Sequence, residues 1–214
     1  MKQGIRWLLY TLGMLVLALG LTLNTKTGLG VSPIISVAFG VSEIWGLNFG
    51  DVTFLLYGLF VAGQIALRRG RGWLADLLQL PLSLAFSRVL NVYSAVIPYR
   101  CEAHSLWENL LLLAAAMLLT GIGAAVTVNM RLVPNPGDGI VAAVAERLGR
   151  DQGFGKNLVD VCCVALTCVI GLTVVGVGLG TVAAMVCVGR VIALVNRLGR
   201  DWMCAAAGLT PAAR

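Results

Sequence analysis

The chain has 214 residues, 58% of them hydrophobic and only 12% charged, with a formal net charge of +6. A soluble domain usually carries about 25% charged residues, so there is too little polar surface here to cover a soluble fold. The basic residues stand in short clusters between apolar runs and form no basic, aromatic-interleaved face, which argues against nucleic acid and for the lipid bilayer as partner.

Lys2 and Arg6 precede an apolar run over 7–23, the outline of a signal peptide. The run is longer than a signal core of roughly 7–15 residues, and it has a counterpart later in the chain, so it is expected to remain as a first membrane helix. Further apolar stretches follow at 33–45, 51–67, 74–97, 106–128, 139–148, 157–175 and 179–196. Six of the eight are long enough to cross a hydrocarbon core of roughly 30 Å at about 1.5 Å per residue. The stretches 33–45 and 139–148 span only about 15–20 Å at that rise, half a membrane.

Shifting the sequence against itself by 105 residues superimposes the two halves. Asn24 falls on Asn129, Lys26 on Arg131, Phe49-Gly50 on Phe154-Gly155 and Asn91 on Asn196, and the two short segments coincide, as do their long neighbours. The predicted fold class is therefore all-α: a polytopic membrane protein of six transmembrane helices and two short re-entrant or half helices, built as repeats over 1–100 and 105–205. If the short segments do not cross, Lys2, Arg6, Arg68, Arg69, Arg71, Arg131, Arg147, Arg150, Lys156, Arg197, Arg200 and Arg214 lie inside, and only Lys26 and Arg100 lie outside. The positive-inside rule favours that arrangement, with both termini cytoplasmic. Three spans per repeat make the halves inverted, as in many transporters.

Each short segment follows a loop with a helix-start signature. The first reads Asn24-Thr-Lys-Thr-Gly-Leu-Gly-Val-Ser32-Pro33, with Ser32 as N-cap and Pro33 at the first helical position. The second reads Asn129-Met-Arg-Leu-Val-Pro-Asn135-Pro136-Gly137-Asp138, where either Asn135 or Asp138 can cap. Half-helices starting near the midplane would aim unpaired N–H groups and partial positive charge at one place, an anion site. The candidate substrate-binding residues are Ser32, Pro33, Asn135, Pro136, Gly137, Asp138 and Arg88, an arginine inside the 74–97 span; Asn24, Asn129 and Arg190 are secondary candidates.

Each feature has a plainer reading. The short helices can instead lie in the interface; Arg190 can snorkel to headgroups; Arg88 can pair with a backbone carbonyl or Asp76; Asp138 can be a simple cap. Asp160 is expected to be solvated near a cytoplasmic span start, and Glu43 and Asp51 to be interfacial charges. Trp7, Trp45, Trp73, Trp107 and Trp202 mark span ends as an aromatic belt does. Six cysteines form no CxxC pair or Cys/His cluster, and His104 stands alone in a loop, so neither a metal nor a cofactor is expected.

Gly28-Leu-Gly-Val-Ser-Pro33, Gly46-Leu47, Phe49-Gly50, Pro136-Gly-Asp-Gly-Ile140 and Gly176-Val-Gly-Leu-Gly-Thr181 resemble the bacterial YczE/YyaS/YitT-type membrane proteins over nearly the whole chain. Without the soluble C-terminal domain of the YitT-like members, the chain is closest to the YczE type. The resemblance implies a multi-pass protein of the bacterial inner membrane and carries no catalytic residue. The expected function is transport or channelling of a small solute, an anion or a carboxylate-bearing zwitterion. A non-transporting scaffold or accessory is the alternative, with a homo-oligomer among the candidate assemblies. An enzyme is not expected, because no carboxylate pair, nucleophile–base pair or metal cluster is visible.

Overall fold

The computed structural model describes residues 2–69, 72–171 and 176–209. Regular structure among them is helical throughout: α1 (Lys2–Lys26), α2 (Pro33–Trp45), α3 (Phe49–Leu67), α4 (Trp73–Leu77), α5 (Gln79–Val96), a 3-10 turn (Cys101–Ala103), α6 (Leu106–Asn129), α7 (Pro136–Leu148), α8 (Gln152–Gly171) and α9 (Leu179–Ala207). Among the described residues, six segments are long and apolar enough to cross a membrane: α1, α3, α4–α5 with the turn after them, α6, α8 and α9. Arg71, Arg214 and the last four residues of the 157–175 stretch lie outside the described residues.

Several boundaries differ from the sequence reading. The second short helix starts at Pro136 rather than at 139, which makes both half-helices 13 residues long. Its start is set by Asn135, so the 105-residue register slips by two between Asn129 and Pro136. The span expected over 74–97 is broken at Leu78. Pro81 supplies no N–H and its ring crowds the carbonyl four residues back, that of Leu77, where α4 ends. The last span runs on to Ala207, because Asn196, Arg197, Arg200 and Asp201 end the apolar pattern without ending the helix.

α1 and α6 pack along their length. A Cβ on Gly20 would lie 2.5 Å from the Thr120 amide nitrogen, and one on Gly123 would strike the Leu17 backbone. Small residues let two backbones approach where burial of apolar surface gives helices in lipid no advantage. α5 packs on α1 and α3, and α9 on α6 and α1. The half-helices α2 and α7 each pack on both α3 and α8, whereas α3 and α8 make no comparable contact with each other. The half-helices are thus the bridge between those two spans.

Candidate functional site

The loop before α2 turns at Gly28 and Gly30, whose φ angles of +67° and +108° suit glycine. It is clamped from both sides of its crossing. The Val31 amide donates to the Gly176 carbonyl at 2.8 Å and the Gly180 amide to the Leu29 carbonyl at 2.7 Å, so the glycine-rich α8–α9 turn is its dock. Asn24 folds back from the end of α1 and accepts the Ser32 amide at 2.8 Å. The loop before α7 is held from the start of α1: Arg6 donates to the Met130 and Arg131 carbonyls at 2.7 and 2.6 Å, and the Tyr10 hydroxyl to the Val133 carbonyl at 2.8 Å.

Both half-helices begin at the middle of α3. The Ile34 side chain of α2 seats on Gly137 of α7, 2.9 Å from where a Cβ would stand. Tyr57, fully buried near the midpoint of α3, joins the apolar cluster of Val31 and Ile35, and its hydroxyl is in hydrogen-bonding reach of the Asn135 side chain. From that level the two helices run apart. α2 ends in the left-handed Gly46 that leads directly into the start of α3, while Glu146 near the end of α7 meets Arg68 just past the end of α3 at 3.3 Å. Their N-terminal ends face a common place.

The two starts differ in detail. Asn135 is a working cap, its side chain accepting the Gly137 amide at 2.9 Å. Ser32 holds the cap position of α2 but its hydroxyl makes no capping bond, and no acidic residue lies in the first turn. Asp138 lies in the first turn of α7 with its side chain exposed. It is in electrostatic range of Tyr57 and Lys156. Beside it the contacts are polar as well. Lys156 pairs with Asp160 at 2.7 Å. Asp160, expected to be solvated, is 1% exposed, and its second carboxylate oxygen has no hydrogen-bond partner among the described residues. The reason is periodicity: Lys156, Asp160, Cys163 and Thr167 share the face of α8 that the half-helices cover. Thr167 also meets Ser36 of α2, hydroxyl to hydroxyl, at 2.8 Å.

A second polar run fixes α7 to α3 and α5. The buried amides of Gln64 and Gln79 pair reciprocally at 3.1 and 2.8 Å, and Gln64 also donates to the Pro136 carbonyl at 3.3 Å. Gln79 reaches Asp76 at 3.4 Å, and Asp76 takes Arg68 at 2.6 Å. One Asp76 oxygen is buried with no hydrogen-bond partner among the described residues. Sequence reasoning did not single out Tyr57, Gln64, Gln79 or the Lys156–Asp160 pair. The signal was present for Gln64 and Gln79, uncharged polar side chains inside apolar runs, but nothing in one sequence says which polar residues face each other.

Of the predicted residues, Ser32, Pro33, Asn135, Pro136, Gly137 and Asp138 are carried by the two converging starts. Arg88 is elsewhere: it pairs with Asp51 at 2.8 Å on an open flank, both side chains more than half exposed, so neither a backbone carbonyl nor Asp76 is its partner. Arg190 is exposed near the middle of α9 with no hydrogen-bond or ionic partner among the described residues, as a snorkelling side chain would be. Asn129 ties α6 to α9, donating to Asn196 at 2.6 Å and to the Ala125 carbonyl at 2.8 Å. His104 stacks on Tyr99 with ring centroids 4.2 Å apart and lies 3.7 Å from Glu108.

Six apolar spans, with buried polar contacts tying the helices together, define a multi-pass membrane protein of the all-α class. The chain belongs to a family of unknown function, DUF6198, whose profile matches residues 4–197. It is similar to the uncharacterized protein YyaS of Bacillus subtilis strain 168, 24% identical over 188 residues that cover 87% of this chain and 90% of that protein. It is also similar to the uncharacterized membrane protein YczE of the same organism, 22% identical over 197 residues, covering 90% of this chain and 86% of that one. The resemblance read from the glycine and proline motifs is thereby confirmed. No solved structure matches the chain.

Proposed function

We propose that this protein is a carrier for a small solute bearing a carboxylate, held between the starts of α2 and α7. The observation that carries the reading is the convergence of two half-helices at the middle of α3, where Ile34 seats on Gly137 and Tyr57 reaches Asn135. Non-helical backbone at membrane depth is tolerated where it is buried in protein or lines a wet cavity, and transporters place substrate sites at such interruptions. At the α2 start no acid answers the helix dipole and the Ser32 hydroxyl makes no capping bond, which favours a carboxylate. At the α7 start Asp138 favours an amino group. A zwitterion spanning Ser32 and Asp138 satisfies both, with Asn135 and the Pro136-Gly137 backbone shaping the space between.

In this reading the halves 1–100 and 105–205 are inverted repeats, the half-helices do not cross, and both termini face the cytoplasm of a bacterial inner membrane. Substrate moves by alternating access as one half rocks on the other, with no catalytic step and no cofactor. Arg88 stays outside the site. Uptake of labelled zwitterions and carboxylates into proteoliposomes, with and without an ion gradient, tests this. A Ser32→Ala/Asp138→Asn double variant should fall to background, and wild-type uptake by it sinks the site. A scaffold is the second reading, supported by the broad exposed apolar face of α9, with Leu179, Val182, Leu194 and Leu198 outward. Absent uptake together with one stoichiometric protein partner would favour it.

A further inference from the structure

The seam between α3 and α7 carries a feature that the solute site does not use. Leu56, Phe60 and Leu67 fall on one face of α3, and Ile140, Val144 and Arg147 on one face of α7, by the spacing of helical neighbours. Around Phe60 and Val144, with Val37 of α2 and Leu158, Cys162 and Leu166 of α8, these rails enclose an apolar groove of about 290 Å³. Toward the end of α3 the same rails reach a second cavity of about 220 Å³, where Leu67 and Ala143 meet Arg68, Arg69, Glu146 and Arg147. Phe60, Leu67 and Val144 pack on one apolar cluster, so groove and cavity are two stretches of one seam.

The charges at the mouth are unequal. Arg68 is engaged by Asp76 at 2.6 Å and by Glu146 at 3.3 Å. Arg69 and Arg147 have no ionic partner among the described residues. Two uncompensated guanidinium groups therefore stand at the open end of an apolar slot. A neutral occupant leaves them unpaired, and a soluble anion leaves the slot unfilled. A helix, some 10–12 Å across with its side chains, is too wide for the groove.

We infer that the seam binds one anionic phospholipid from the adjacent leaflet, its phosphate on Arg69 and Arg147 and an acyl chain laid between α3, α7 and α8. Groove and bilayer interior are equally apolar, so the chain fixes position while the arginines supply the preference. Each arginine near a headgroup is expected to contribute about fivefold. The site is independent of the carrier reading, and either can fail alone.

The test is lipid retention. The protein is reconstituted in nanodiscs of equimolar phosphatidylglycerol and phosphatidylcholine with matched chains, extracted in mild detergent, and its bound lipid is measured by mass spectrometry. Wild type should retain phosphatidylglycerol in excess by about 25-fold, the product of the two arginines. Arg69→Ala and Arg147→Ala should each reduce that excess about fivefold, and Val144→Trp, which fills the groove, should lower retention of both lipids. Equal retention by wild type overturns the inference, as does an undiminished excess in the double arginine variant. A thermal shift with inorganic phosphate as large as that with phosphatidylglycerol also overturns it, because the site would then take free anions.

Discussion

The starts of α2 and α7 have the same plan and opposite finish. Each is a proline-led half-helix of 13 residues that ends in a left-handed glycine. At α7 the cap is made, an acid sits in the first turn, and Gln64 grips the Pro136 carbonyl. At α2 the cap hydroxyl is idle and the first turn carries no acid, while the loop itself is held by backbone bonds to the α8–α9 turn. The difference teaches that anchoring and charge have been divided. α7 is fixed by side chains and electrostatically answered, whereas α2 is fixed by backbone bonds together with Asn24 and Thr167, and its first turn carries no acid to answer the dipole.

The largest test of that division is Gln64→Leu. It removes a hydrogen-bond partner from Gln79 and from the Pro136 carbonyl, both inside the protein. Buried polar groups left short of a partner cost about 1–3 kcal/mol each; Gln79 keeps Asp76 and the Pro136 carbonyl keeps its helical amide, so a loss of about 3 kcal/mol is expected. Adding Gln79→Leu should recover part of it, because replacing both partners by apolar groups is nearly neutral. Denaturant titration in mixed micelles measures both, and strictly additive losses would show that the amide pair is not the anchor.

Next in size is Lys156→Met, which strands the buried Asp160 carboxylate without its ionic partner. Breaking a buried pair costs roughly 3–5 kcal/mol, and the partial exposure of Lys156 brings the expectation to about 2–3 kcal/mol. Lys156→Met/Asp160→Leu should be milder than the single variant. If the single variant melts like wild type, the α7 end is wet enough to solvate the acid unaided.

The spans and the half-helices were legible because apolar run length and Gly/Pro punctuation are local. The caps were legible in part: of Asn135 and Asp138 the structure selects Asn135, whose side chain takes the Gly137 amide, whereas Ser32 holds its cap position without a capping bond. What one sequence does not carry is facing. The 105-residue match paired Asn91 with Asn196, yet Asn91 accepts the Gly50 amide at 2.9 Å and ties α5 to α3, while Asn196 turns to Asn129 and ties α9 to α6. Equal positions acquired different neighbours. Asp160 was misjudged for the same reason, since distance along a span sets depth and only packing sets burial.

A smaller pair of variants compares the caps directly. Asn135→Ala should lose about 1 kcal/mol, the usual value of a side-chain cap. Ser32→Ala should stay within about 0.5 kcal/mol, because its hydroxyl caps nothing. Uptake is expected in the reverse order of damage relative to stability, with Ser32→Ala impaired although stable. If Ser32→Ala destabilises as much as Asn135→Ala, its hydroxyl is a cap after all and is not free for substrate.

The smallest expected effect belongs to Arg88. An arginine within a span is a functional candidate on cost alone, but here the cost is met at the surface. Its guanidinium reaches Asp51 in the first turn of α3, and both side chains are more than half exposed. An exposed ion pair is worth about 0–1 kcal/mol, so Arg88→Ala should shift stability by less than about 0.5 kcal/mol and leave uptake unchanged. Charge reversal sharpens the point. Arg88→Asp sets like charges beside Asp51 and should cost more than Arg88→Ala, while Arg88→Asp/Asp51→Arg restores the pair and should return to the wild-type melt. Loss of uptake in Arg88→Ala at full stability would mean that the flank between α3 and α5 lies on the solute path, and the half-helix starts would then be only one end of the site.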